Sequence, residues 1–308
     1  MQRRTFRRDK CGPKQKGTRS LDFTCYSPDD LNTLKNEWNK GHPSDIVTET
    51  DPKAIWNSLQ QKNKACDRES CWAANNKTIS NRTFAPKMPI SWKKNINEWL
   101  SSDEIEKVLK QYEKMYPEFK FIGPSPTDYF VMEYGNTCVW EELCKFDLES
   151  YIKKGKTKIG VVFNLDPHYK SGSHWVALFI NTESRSICYF DSTGARIHKY
   201  ISRFRKEVQK QAQKLNLKYT FDSNFNVEHQ FHNTECGMYV LFFIITMLVH
   251  DKDYEEPTVP ENIGKQLKNK IKAQKGGAYT MFERVFKNKN LKFSDKLMEN
   301  LRYVYFND

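Results

Sequence analysis

Apolar residues recur along this chain with two periods, and the change from one to the other divides it. Between Asp30 and about Leu59, the residues Leu31, Leu34 and Trp38, then Ile55, Trp56 and Leu59, fall at helical intervals and predict a small helical module. A polar, Pro-containing stretch from Asn75 to Pro89 follows, and a domain boundary is expected there. Ser101 and Glu104 then stand at capping-box spacing ahead of Ile105, Val108, Leu109, Tyr112 and Met115. The helix they open should stop before Pro117. Three short runs rich in β-branched and aromatic residues come next, Ile159–Leu165, His174–Ile180 and Ser186–Phe190, each bounded by Gly, Ser, Asn or Asp. They predict neighbouring strands of one sheet. Ile197–Leu215 reads as an amphipathic, strongly basic helix and Lys218–Phe221 as a further strand. Cys236–Val249 is almost wholly apolar and must be a buried helix. The expected fold class is α+β, with residues 1–30 as a basic flexible tail, 31–89 as a helical arm module and 90–308 as the main core.

Length and charge narrow the partners more than the fold. A chain of 308 residues can bury an independent core. Its 50 Lys plus Arg against 38 Asp plus Glu give a formal charge of +12, which favours polyanions or acidic protein faces. The first 30 residues carry few apolar side chains and are expected to be mobile, serving equally as a solubilising tail or as a nucleic-acid contact. The eight cysteines are scattered without the spacing of a small disulfide scaffold, so a reducing compartment is expected. No apolar h-region follows the charged first residues and no window holds the roughly 18 apolar residues of a membrane span, so a soluble protein without a cleaved signal is expected.

The candidate chemistry begins at Cys236, where a polar loop gives way to the apolar helix. Asn233 or Thr234 can cap that helix. A cysteine in the first turn feels the positive end of the helix dipole, which favours the nucleophilic thiolate, and Gly237 leaves room for a substrate backbone. A cysteine beside an apolar helix is more commonly a buried structural one, so Cys236 alone does not carry the assignment. His174 begins one predicted strand after the flexible Ser171-Gly172-Ser173, and Asp191 ends the next. If those strands are antiparallel neighbours, turning around Thr182–Arg185, the pair meets at one sheet end. The carboxylate would then fix the imidazole tautomer, and the imidazole would serve Cys236 as general base. Gln230, six residues before Cys236, could donate to an oxyanion together with the Cys236 backbone N–H, although a solvated loop residue is the plainer reading. His229 and His232 lack a carboxylate at a strand end to orient them. Cys66 and Cys71 are too widely spaced for the usual zinc half-site and no second pair follows, so no metal is expected.

This set of residues resembles the Ulp1-like superfamily of cysteine proteases, which includes ubiquitin-like-protein proteases and the adenovirus protease. The resemblance rests on His174-Trp175, Phe190-Asp191-Ser192, and Gln230 followed after five residues by Cys236-Gly237, in that order, with Trp99-Leu100 opening the first core helix. Within the superfamily it is nearest the polyprotein-processing protease of asfarviruses and the thiol proteases of giant amoebal viruses, through Tyr189-Phe190-Asp191-Ser192-Thr193-Gly194, His229-Gln230, Thr234-Glu235-Cys236-Gly237 and Cys66-Asp67-Arg68-Glu69-Ser70-Cys71. The likeness runs from about Cys66 to Phe243. It implies a papain-related core in which a mixed sheet packs on the helix carrying the nucleophile, with an N-terminal arm. The implied roles are Cys236 as nucleophile, His174 as base, Asp191 as orienter and Gln230 as oxyanion donor. Trp175 is implied to wall the substrate groove, and it reads equally as a core aromatic. Glu235 stands where many members have Asp, and Asp191 where asfarvirus-type enzymes can have Asn. No cofactor is implied. The implied activity is a thiol endopeptidase cutting viral precursor polyproteins after Gly-Gly during particle assembly, in the virion and host cytoplasm. Two rivals remain: an isopeptidase removing ubiquitin-like modifiers such as SUMO from host proteins, and a basic nucleic-acid-binding virion protein. Weak polyanion or DNA contact through Ile197–Leu215 can coexist with proteolysis.

Overall fold

The near-continuous apolar runs fold as strands covered on both faces, which is why they lack the polar alternation of a half-exposed sheet. The computed structural model describes residues 6–14, 21–133, 135–249 and 282–308. It divides into two units, residues 1–88 with 305–308, and residues 89–304.

In the first unit, α1 (Pro28–Gly41), α2 (Pro52–Lys62) and α3 (Lys77–Thr83) surround an aromatic cluster that includes Tyr26, Trp56 and Trp72. Glu69 sits at its centre, almost fully buried, and accepts hydrogen bonds from Thr24 Oγ1 at 2.7 Å, the Cys25 N–H at 3.2 Å and Trp56 Nε1 at 3.0 Å. Part of the stretch expected to be a mobile tail is bonded into this unit. The Arg7 N–H donates to the Asp67 carbonyl at 2.7 Å, the Gly12 N–H to that of Thr83 at 2.8 Å, and Ser27 caps α1. Its order comes from pairing with residues 67–84 instead of from apolar content of its own; residues 1–5 and 15–20 lie outside the described residues. The cysteines also differ from expectation. Cys11–Cys25, Cys66–Cys71 and Cys138–Cys144 form disulfides, leaving Cys188 and Cys236 as buried thiols. Irregular spacing hid pairs that chain folding brings together.

In the second unit, α4 (Ser102–Met115) opens on the expected Ser101/Glu104 capping box and stops before Pro117. Five strands follow: β1 (Phe119–Pro126), β2 (Lys158–Asn164), β3 (Trp175–Asn181), β4 (Ser186–Phe190) and β5 (Thr220–Ser223). They form one sheet in chain order, with β1–β2 and β4–β5 parallel and the central pairs antiparallel. The α+β class with a mixed sheet is therefore observed. β1 escaped the sequence reading because Gly123, Pro124 and Pro126 look like a turn; an edge strand tolerates prolines, and the register shifts between Ile122 and Ser125.

Beyond the short α5 (Glu141–Cys144) and α6 (Leu148–Lys153), two long helices cover the central strands. Val161, Phe163, Val176, Leu178, Ile180, Ile187 and Tyr189 pack on Ile201, Phe204, Val208 and Ala212 of α7 (Lys199–Lys214), so the basic residues of that helix face outward. The alternate side chains meet α8 (Cys236–Val249), where Phe190 stacks on Phe243 at 5.0 Å. A Cβ on Gly160 would lie 3.0 Å from Ile244 Cγ2, so the missing side chain lets α8 lie close to β2. Each large apolar side chain buried here contributes about 1.5–3 kcal/mol. A last helix, α9 (Asp295–Tyr305), closes the described chain; the helical patterns noted after about Glu255 fall largely in residues 250–281, outside the described residues.

Candidate active site

The hairpin register, from Asn181 opposite Ser186 to Ala177 opposite Phe190, sets the start of β3 beside the end of β4. His174 precedes β3 and Asp191 follows β4. His174 Nε2 donates to Asp191 Oδ1 at 2.8 Å, as the strand argument requires. The same oxygen accepts the Thr193 N–H at 2.9 Å and its hydroxyl at 2.8 Å, an Asx-turn that the Asp-Ser-Thr sequence favours. Asn224 holds the backbone: its Oδ1 accepts the Asp191 N–H at 2.9 Å and its Nδ2 donates to the Asp191 carbonyl at 2.6 Å. Burial alone would raise the Asp191 pKa, but the His174 and Thr193 bonds outweigh it and hold the carboxyl below its ordinary value.

Cys236 opens α8, where the Glu235 carbonyl accepts the Tyr239 N–H at 3.0 Å. Glu235 is thus the cap position, one or two residues later than the caps expected at Asn233 or Thr234. Cys236 is near enough to the His174 ring to act on its protonation; with Nε2 committed to Asp191, Nδ1 is the ring atom left for sulfur. Burial lowers the His174 pKa, but the bonds and charges of Asp191 and Cys236 overcome it and push it up to about 10. The raised value favours a proton on the imidazole. Such an arrangement would let sulfur attack a carbonyl carbon while the imidazolium returns its proton to the departing amine.

Gln230 is buried, and its Oε1 accepts the Ser192 hydroxyl at 2.6 Å while its Nε2 donates to the His232 carbonyl. An amide nitrogen carries two hydrogens, so the anchored side chain keeps a second N–H for an oxyanion. Trp175 is 9% exposed and donates from Nε1 to the Leu100 carbonyl at 2.9 Å. Gly237 requires a correction: the room it leaves is filled by Leu100, whose Cβ would stand 2.7 Å from a Cβ placed there. Its missing side chain serves the packing of α8 on the Trp99-Leu100 segment. His229 is fully buried and hydrogen-bonds the Phe286 carbonyl at 3.0 Å; burial pushes its pKa down to about 4, making it a neutral core residue. His232 lies on the exposed loop.

Sequence reasoning missed the residues that hold this loop. Asp295 Oδ2 accepts the Phe231 N–H at 3.1 Å and the His232 N–H at 2.9 Å, and its Oδ1 accepts the Tyr239 hydroxyl at 3.1 Å. Arg302 bonds the Glu235 carboxylate. Neither residue carries a local sequence signal that would have found it. A cleft of about 660 Å³ opens beside the loop, lined by residues including Asn97, Phe231, His232 and Glu299. Among the described residues no cluster of three or more His, Cys, Asp or Glu side chains could hold a metal ion.

Residues 153–280 match the family described as the Ulp1 protease family, C-terminal catalytic domain. A protein assigned as a thiol protease in Acanthamoeba polyphaga mimivirus is 34% identical over 157 residues, covering 49% of this chain and 48% of its own length. The chain therefore spans about half of that relative. The SUMO-1 cysteine protease of African swine fever virus is 26% identical over 210 residues, covering 62% of this chain and 77% of its own. A crystal structure of the African swine fever virus protease superposes with a TM-score of 0.56 at 20% identity, across 96% of this chain and 95% of that one.

Proposed function

We propose, from the match of residues 153–280 to the Ulp1 protease family, that the chain is a thiol endopeptidase that cuts viral precursor polyproteins after Gly-Gly. The carrying observation is the His174 ring bonded to Asp191 at 2.8 Å and lying close enough to Cys236 for the two to act on each other's charge. The preference for glycine draws support from burial: Cys236 is 2% exposed, Gln230 4% and Trp175 9%, so a peptide reaching the sulfur must be thin. Action during particle assembly, in the virion and host cytoplasm, is proposed from the viral relatives. The name of the African swine fever virus relative favours a second reading, an isopeptidase acting on SUMO-like conjugates.

The test is incubation of the protein with peptides spanning Gly-Gly-Xaa beside a Cys236→Ala variant, with products read by mass spectrometry. Cleavage after the second glycine by the native protein alone is expected. Equal cleavage by both would sink the assignment. Turnover of modifier-linked substrates without turnover of the peptides would move it to the isopeptidase.

A further inference from the structure

The residue before the nucleophile carries a buried charge. Glu235 is 1% exposed and Arg302, on α9, is 0% exposed. Arg302 donates from Nε to Glu235 Oε2 at 3.1 Å and from Nη2 to both carboxylate oxygens at 3.1 and 3.0 Å. Its guanidinium lies 4.4 Å above the Trp92 ring, which fixes the fork from the other side. Glu235 also supplies the carbonyl that starts α8, so the grip falls on the peptide that presents Cys236. Arg302 is near enough to Cys236 for their charges to interact.

We propose that Arg302 is a positioning residue for Cys236: acting through Glu235, it fixes the first turn of α8 while its charge is cancelled beneath the sulfur. The inference rests on Cys236 being the nucleophile. A buried pair of this kind is poor evidence of stability, because desolvation offsets most of its attraction. Geometry and charge balance are what it supplies here. The charged groups that bear on Cys236 are His174, just before β3, backed by Asp191, just after β4, and Arg302 on α9, which in turn interacts with Glu235 and Glu299. With the pair intact, Arg302 adds no net charge beside Cys236, and the His174–Asp191 couple is left to act on the sulfur.

Two substitutions separate charge from fit. Glu235→Gln keeps the shape but leaves a guanidinium unbalanced near the sulfur, which favours thiolate. The pH midpoint of Cys236 alkylation by iodoacetamide, with the labelled site read by mass spectrometry, should fall by about one unit. Adding Arg302→Met removes the orphan cation and should return the midpoint to the native value. Arg302→Lys keeps charge without the two-pronged fork; it should leave the midpoint near native and lower kcat for a cleaved peptide several-fold at unchanged KM. An unmoved midpoint in Glu235→Gln, a double variant shifted as far as the single one, or undiminished kcat in Arg302→Lys would overturn the proposal. If native alkylation were indifferent to His174→Gln, the reading of Cys236 itself would fail, and the proposal with it.

Discussion

His174 and Asp191 bond across 17 residues on neighbouring strands, whereas the loop that ends in Cys236 is gripped from much farther along the chain: Asp295 reaches His232 across 63 residues and Arg302 reaches Glu235 across 67. The first half of the site is built by a hairpin, whose register fixes the pair as soon as the strands form. The second half exists only once a late helix has docked. Rigidity is thus local on the sheet side and borrowed on the loop side. The largest expected effect tests the sheet side. Asp191→Ala should lower kcat/KM by roughly 10²–10⁴-fold, the usual worth of positioned acid–base catalysis, and should also lower the melting transition, because His174 and Thr193 lose a buried acceptor. Asp191→Asn should lose less, because its carbonyl still accepts from His174 Nε2. Equal losses in both variants would mean that charge, not orientation, is what Asp191 supplies.

The same division explains what could be read in advance. The hairpin strands, the capping box of α4 and the apolar α8 announce themselves through period and punctuation, and the His174–Asp191 meeting follows from antiparallel pairing alone. Cys236 needed those two for its assignment. Asp295 and Arg302 carry no local signal, since their partners are backbone N–H groups and a glutamate fixed only by tertiary packing. Gly237 was misjudged for a related reason: its neighbour Leu100 is more than a hundred positions away. β1 was hidden by its prolines, and the disulfides by irregular spacing.

Two histidines give the comparison opposite pH signatures. His229, on the loop side, has its pKa pushed down to about 4 by burial. Below the ordinary value near 6.5 the unfolded chain takes up a proton that the native chain refuses, so stability present above pH 6.5 is lost as pH falls towards 4. The loss should be on the order of 2 kcal/mol. His174, on the sheet side, is raised to about 10 by Asp191 and Cys236 against the pull of burial. Its contribution is full below pH 6.5 and fades as pH rises towards 10. Urea midpoints at pH 7 and 4.5 should converge in His229→Gln, which keeps a donor for the Phe286 carbonyl. Persistence of the acid loss in that variant would place its cause in other groups.

Trp175 joins the two sides, and the smallest expected effect lies there. The indole belongs to β3, yet its Nε1–H is spent on the Leu100 carbonyl, and Leu100 in turn packs against Gly237 beside Cys236. Trp175→Phe removes one donor while keeping most of the apolar body, so stability should fall by about 1 kcal/mol, the net worth of a single hydrogen bond. If the tether is the main service of the indole, kcat for a Gly-Gly peptide should fall modestly at unchanged KM, because the Leu100 segment loosens against α8. A raised KM, together with acceptance of a bulkier residue in place of glycine, would instead identify the indole as the wall that narrows the path to Cys236.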